Sequence, residues 1–159
     1  MLFREVTPMS EKHTFLMMIQ DRWWKKFLLR QKEGKKTHAY VLRGPAPPKT
    51  AQRILFYVTK PVAKLAGYAD FIERKVGTPG AVWEENGEES VLSSKTMYDE
   101  FIKGSDKVSF VRFKNLREAC RPVPLNEVLM FFGVRRLARK GFYIDKDAAD
   151  NLIVSMSQA

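Results

Sequence analysis

A chain of 159 residues that is 45% hydrophobic and 12% aromatic has enough material for one domain with a real core, which excludes a disordered basic tail. Its formal net charge of +10 points to a polyanionic partner: nucleic acid, a ribonucleoprotein or an anionic membrane surface. The single cysteine, Cys120, excludes an internal disulfide framework, and no apolar run approaches the ~20 residues that span a bilayer.

In chain order, residues 1–13 read as a loose lead-in, with no apolar leader followed by a small-residue cleavage site. A cytoplasmic protein without a membrane partner is the resulting expectation. Thr14–Ile19 is an apolar run of strand length. Asp21 is placed to cap a helix over 22–33, closed by Gly34. In that helix Trp24, Phe27 and Leu28 share one face, so the spacing predicts Trp24 buried and Trp23 at least partly exposed. Residues 37–43 read as a strand, ended by the proline-rich 44–50 loop. Arg53–Thr59 is the most strand-like segment. After Lys60-Pro61, residues 62–76 predict a long strand with a bulge at Gly67.

Residues 78–86 read as a helical turn containing Trp83, and Ser94 as the cap of a helix over 95–103, stopped by Gly104. Residues 107–113 alternate as a strand, ended by Pro122 and Pro124. A short helix over 124–132 with Pro124 in its first turn follows, closed by Gly133. Residues 141–144 read as a last strand, Asp145 as the cap of a helix to about 154, and 155–159 as a tail. The domain proper is therefore expected over 14–154. Short strands with helices inserted between them, without strict alternation, argue for an α+β fold closed as a small barrel.

Charge is segregated along this pattern. Between Arg22 and Arg43 eight Lys or Arg stand against one acid, and Arg135, Arg136, Arg139 and Lys140 add four more with none. From Asp70 to Glu100 the balance reverses, with eight acids against three bases. A basic side and an acidic side orient a protein in the field of a polyanion.

Gly34, Lys36 and Thr37 after the first helix, then Tyr57, Thr59, Pro61 and Gly67, form a pattern that resembles the PUA-like superfamily. It is most similar to the ASCH branch and to an archaeal domain-of-unknown-function family with the same core. Residues 132–144 resemble the C-terminal portion of that archaeal family. The resemblance covers residues 14–154 and implies a small, partly open β-barrel with flanking helices. Two positions depart from it. Where ASCH proteins carry an acidic residue and then a basic one after the Lys-Thr pair, this chain has Ala39 and Val41, with Arg43 one strand step further on. In the nucleoside amide hydrolases of that branch a lysine, a threonine and a distant glutamate carry the reaction. Lys36 matches the lysine, but Ala39 stands where the threonine would.

Chemistry-bearing residues are otherwise sparse. His13, His38 and Cys120 show no ligand spacing, and no glycine-rich phosphate loop is present, so no metal or small-molecule cofactor is expected. Glu84-Glu85 and Glu88-Glu89 read as a solvated turn, and Tyr57 and Tyr143 as core residues with a polar tip. Two classes of function follow. The first is an RNA-binding protein that contacts tRNA or rRNA, within a ribosome or other ribonucleoprotein and beside ribosomal proteins. Its grip would come from Trp23, Lys25, Lys26, Lys35, Lys36, Thr37, Arg43, Arg53, Arg135, Arg136, Arg139, Lys140 and Tyr143. Trp23 is the candidate to stack on a base, and the two basic runs are expected on one continuous surface. The alternative is a small nucleoside- or RNA-processing enzyme of the ASCH type, with Lys36 and His38 as its catalytic pair. The field of ten net charges favours the first, because a free nucleoside needs no such field.

Overall fold

The computed structural model describes residues 12–158, so all but the end of the lead-in lies outside the described residues. Six strands and five helices follow in the order β1 (Thr14–Ile19), α1 (Asp21–Lys32), β2 (Thr37–Arg43), β3 (Arg53–Val58), β4 (Lys64–Gly77), α2 (Pro79–Asn86), α3 (Lys95–Phe101), β5 (Val108–Pro124), α4 (Leu125–Phe132), β6 (Phe142–Ile144) and α5 (Lys146–Ser157). A single 3-10 turn at Gly87–Glu89 follows α2. The strands form one sheet in the order β2-β5-β4-β3-β1-β6, with β1 and β3 parallel and every other pair antiparallel.

The sheet curls until its ends face each other. Phe15, Met17 and Ile19 of β1 and Ala39, Tyr40 and Val41 of β2 belong to one buried cluster, although no ladder joins the two strands. This is the α+β, partly open barrel expected from the sequence, with β1 and β2 as the lips of its seam. The outer face carries a second cluster. Leu16, Leu55, Tyr57, Leu65 and Val123 pack there against Val128 of α4 and Ala149, Leu152 and Met156 of α5. Central strands buried on both faces read as unbroken apolar runs, which is why 14–19 and 53–58 lack alternation.

Local chemistry explains most boundaries. Asp21 does not cap α1. Gln20 takes that place and Asp21 sits in the first turn, where its charge complements the helix dipole. Gly34 (φ +93°) closes the helix with its N–H on the Gln31 carbonyl, while the Lys35 N–H donates to Arg30. Ser94 Oγ and Asp145 Oδ1 accept from the N–H groups of Met97 and Ala148 as caps of α3 and α5. The β3–β4 register shifts at Phe56/Tyr57 and the β4–β5 register between Leu65 and Gly67, the bulge expected at Gly67. A Cβ on Gly67 would lie 2.7 Å from the indole of Trp24.

Two expectations are corrected. Pro122 does not end its strand: β5 continues to Pro124, because beyond Lys114 its edge away from β4 has no ladder partner and a missing N–H costs nothing there. The segment from 155 is not all tail, since α5 extends to Ser157 with Met156 fully buried.

Candidate functional site

The barrel seam holds a cavity of about 270 Å³. Phe15, Met17 and Met18 line it from β1, Tyr40, Leu42 and Arg43 from β2, and Pro45, Ala46 and Pro47 from the loop that follows. Arg139 and Lys140 close its rim from the connector between α4 and β6. The floor is apolar and the rim cationic. None of Arg43, Arg139 and Lys140 has an acidic partner among the described residues.

Each rim cation is positioned by something specific. Arg43 Nε donates to the Phe101 carbonyl at 2.9 Å, which fixes the guanidinium, and neither Nη makes a hydrogen bond among the described residues. Gly141 (φ +84°) lies so close to β1 that a Cβ there would collide with the Leu16 carbonyl and stand 2.8 Å from the Phe15 ring. Only glycine permits that approach, and it brings Arg139 and Lys140 over the seam. Leu137 and Phe142 pin the connector to the outer core. The proline loop is tied just as firmly. Ser109 Oγ donates to the Gly44 carbonyl at 2.6 Å and accepts from the Ala46 N–H at 2.9 Å, while Arg74 donates to the Ala46 carbonyl at 2.8 Å.

A second, wider depression lies by the start of β2, lined by Arg30, Lys35, Trp83, Glu84, Glu88 and Ser93 among others. Its charges are mixed, so its field for phosphate is weaker. Beside it Arg112 makes a bidentate pair with Glu89 (2.7 and 2.9 Å) and a further bond to Glu73. Thr37 Oγ1 and Asn86 Nδ2 also donate to Glu89, at 2.7 and 3.0 Å. Burial pushes the Glu89 carboxyl up, but the bonds from Arg112, Thr37 and Asn86 and the Arg112 charge outweigh it and hold it down to about 2. Glu89 is therefore an ionic anchor, which corrects its reading as part of a solvated turn.

His38 is also corrected. It is fully buried between Phe27 and Phe113. Arg30 Nε donates to its Nδ1 at 3.2 Å, so Nε2 carries the proton and donates to Gln31 Oε1 at 2.9 Å. Burial first, then the Arg30 guanidinium, push its pKa down to about 4, against a smaller pull from Glu89. Both nitrogens are occupied, so from this position His38 meets no substrate and forms no pair with the exposed Lys36.

Of the remaining expected residues, Trp23 is the clearest miss. It is only 7% exposed, edge-on to Phe101, with Arg22 at 4.3 Å and Lys26 at 5.2 Å from the ring centroid. α3 covers the face that helical periodicity leaves open, so Trp23 is not placed to stack on a base. Arg53 pairs with Asp150 at 2.8 Å as a strut between β3 and α5, and Lys25 pairs with Asp21 along α1. Thr37 is spent on Glu89. Tyr143 packs edge-on against Phe15, and its hydroxyl accepts from the Lys49 N–H at 3.2 Å. Arg135 and Arg136 are exposed on the connector. Lys35 and Lys36 are exposed too, but they precede β2 whereas Arg43 ends it, about 20 Å away at strand rise. Lys35 thus borders a different depression from Arg139 and Lys140, and of the first basic run only Arg43 joins them, so the expectation of one continuous surface through Lys35 and Lys36 fails.

Sequence reasoning missed the apolar floor, Tyr40 and the Arg112–Glu89 pair. All three depend on which strands meet across the seam or the sheet, for which local spacing carries no signal. Among the described residues no group of three His, Cys, Asp or Glu side chains is placed to hold a metal ion. No described helix is long and apolar enough to cross a membrane.

No protein-family model matches the chain. An ASCH domain-containing ribonuclease of Zymomonas mobilis is 30% identical over 106 residues, which are 66% of this chain and 69% of that protein. The large ribosomal subunit protein uL22 of Ureaplasma parvum is 32% identical over 81 residues, 51% of this chain. The chain spans only about a quarter (26%) of that protein's length. Among solved structures, the ASCH protein of Zymomonas mobilis superposes with a TM-score of 0.71 at 20% identity, covering 91% of this chain and 96% of that one. A point mutant of the same protein gives 0.72 with 97% of its chain covered.

Proposed function

This chain belongs to the ASCH domain family, and from that premise we propose that it is an RNA-binding protein whose grip lies across the β1–β2 seam. The carrying observation is the convergence of Arg43, Arg139 and Lys140 on one rim without an acidic partner among the described residues. Two of the three are arginines, which meet phosphate through bidentate hydrogen bonds; Arg43 is held by the Phe101 carbonyl, and the close approach of Gly141 fixes the main chain beside Arg139 and Lys140. Pre-organised cations lose little conformational entropy on binding. Arg135 and Arg136 on the same connector extend the grip along the RNA backbone. Structured RNA of the tRNA or rRNA kind, in a ribosomal or other ribonucleoprotein setting, is the finer reading. The partial similarity to a ribosomal protein supports it.

Binding of a labelled single-stranded RNA, followed by fluorescence anisotropy, tests the assignment. Arg139→Glu with Lys140→Glu is expected to weaken binding about tenfold or more, equivalent to ~1.4 kcal/mol. Lys95→Glu, on the acidic side in α3, is expected to leave it unchanged. Equal affinity for wild type and the double variant would remove the seam as the site.

A second reading, RNA cleavage, is favoured by the ribonuclease that resembles this chain over two thirds of its length. Lys36 is the candidate that remains for it, since His38 is sealed in the core. Incubation of the same RNA with the protein distinguishes the two. Intact RNA supports binding alone, whereas cleavage abolished by Lys36→Ala would establish the enzyme.

A further inference from the structure

Resting on the RNA-binding reading, we propose that the seam cavity behind the three cations accepts the base of one unpaired nucleotide, so that the protein selects RNA with an unstacked base over perfect duplex. A grip on phosphate alone needs only a charged surface. Here the cations stand around a hollow of about 270 Å³ with an apolar floor of Phe15, Met17 and Leu42 and a wall at Pro45 and Pro47. That volume lies just below the range of small-molecule pockets, which runs from ~300 to ~1,000 Å³. It suits one nucleoside and is too small for a base pair.

The lining matches a base in kind as well as size. Apolar side chains and proline rings accommodate its faces. Tyr40, more than nine-tenths buried, is part of the lining, and its hydroxyl makes no hydrogen bond among the described residues. Burial pushes that phenol up to about 12, against a smaller opposing effect of Arg22, so at neutral pH it is a hydrogen-bond donor. That hydroxyl is not sealed from solvent, since Asn86 Oδ1 alone is a buried, unpartnered side-chain atom among the described residues, and a ring nitrogen or exocyclic oxygen of an inserted base would accept from it. With the base inside, its phosphates fall at the mouth, where Arg43, Arg139 and Lys140 stand.

Duplex RNA cannot use such a pocket. Its bases are paired and stacked, its major groove is too narrow for side chains, and recognition of bases is confined to loops, bulges and ends. The same three cations still meet duplex phosphates, so duplex should bind, only less tightly.

The test uses the wild-type protein and three labelled duplexes of about 16 base pairs. They are identical except that one is perfectly paired, one carries a single bulged adenosine, and one carries an abasic ribose at the bulge. The bulged adenosine is expected to bind about tenfold more tightly than the perfect duplex, with the abasic bulge close to the perfect one. Ala46→Phe, which fills the cavity from its loop wall and keeps all three cations, is expected to erase the preference, so that the bulged adenosine binds no more tightly than the perfect duplex. Equal, salt-sensitive affinity for all three duplexes would overturn the base pocket and leave the RNA-binding reading standing. Equal affinity for the bulged adenosine and the abasic bulge, both above the perfect duplex, would also overturn it, because bending and not base insertion would then be read. Absence of binding to any of the three, and to single-stranded RNA, would overturn the reading on which the proposal rests.

Discussion

At the scale of single residues, the site depends on positions that carry no functional group. Gly141 allows the connector to lie against β1, and its φ of +84° and the space taken by Phe15 and Leu16 leave no room for a side chain. Gly141→Ala should therefore push Arg139 and Lys140 off the seam. The expected result is a loss of RNA affinity similar to that of the double charge reversal, about tenfold, together with a lower Tm. Anisotropy and a thermal melt on the same sample check both.

His38 makes a different prediction. Its native pKa of about 4 lies below the ordinary histidine value of 6.5, so the unfolded chain binds a proton first as pH falls. The stability of the neutral, buried form is complete above about 6.5 and declines as pH drops towards 4. In thermal melts across that window the wild type should lose Tm by several degrees, since ~1 kcal/mol moves a domain of this size by about 2–4 °C. His38→Phe keeps a ring between Phe27 and Phe113, and should flatten the slope between pH 6.5 and 4. A variant as steep as wild type there would place the proton uptake elsewhere.

At the scale of elements, the acidic segment is structural. Through Arg112, Glu89 ties the Gly87–Glu89 turn to β5, and through Thr37 it ties the same turn to β2. Trp83 of α2 stacks on Tyr98 of α3, with ring centroids 4.4 Å apart, which completes that side. Of the eight acids between Asp70 and Glu100, Glu73 and Glu89 are spent on Arg112, whereas Glu84, Glu85, Glu88, Asp99 and Glu100 remain exposed. Glu89→Gln keeps the shape but leaves Arg112 short of a charge partner, a loss of roughly 1–3 kcal/mol for a half-buried pair. The sign of its pH dependence is opposite to that of a raised group. A carboxylate depressed from 4.5 to about 2 contributes fully above 4.5 and is lost as pH falls towards 2. Urea melts at neutral pH should show the variant destabilised, and at pH near 2 the two proteins should converge.

At the scale of the whole molecule, ten net positive charges are distributed very unequally. Lys25, Arg53, Lys75, Lys95, Arg112, Arg121 and Lys146 are paired with acids, whereas the cations of the seam rim and its connector have no acidic partner among the described residues. Five unpaired cations there, counting Arg135 and Arg136, predict a log–log slope of RNA affinity against salt of about −3.5 for single strands, since each phosphate contact contributes ~0.7. A slope near zero between low and moderate salt would mean that phosphate is not what the protein holds.

Most of the secondary structure was legible from local chemistry. Gly34 and Gly133 as helix stops, Ser94 and Asp145 as caps, and Gly67 as a bulge all act within a few residues of themselves, so spacing alone exposes them. Charge segregation, and with it the polyanionic partner class, was equally plain. What local spacing could not supply was adjacency. Trp23 looked exposed because α3, more than 70 residues later in the chain, supplies the Phe101 that covers it. His38 and Lys36 looked like a pair because they are two residues apart, yet Lys36 stands in the exposed turn before β2 begins, while His38 lies within β2 with its ring in the core. Lys35 and the connector run looked like one surface because both are basic, while Lys35 precedes β2 and Arg139 and Lys140 meet Arg43 at its far end. The sequence by itself determined which segments are helix or strand and what class of partner the charge favours, because these follow from short-range sterics and from composition. Only the tertiary structure formed the candidate site, because the cavity exists solely where β1 and β2 close on each other and Gly141 lets a distant connector bring Arg139 and Lys140 to Arg43.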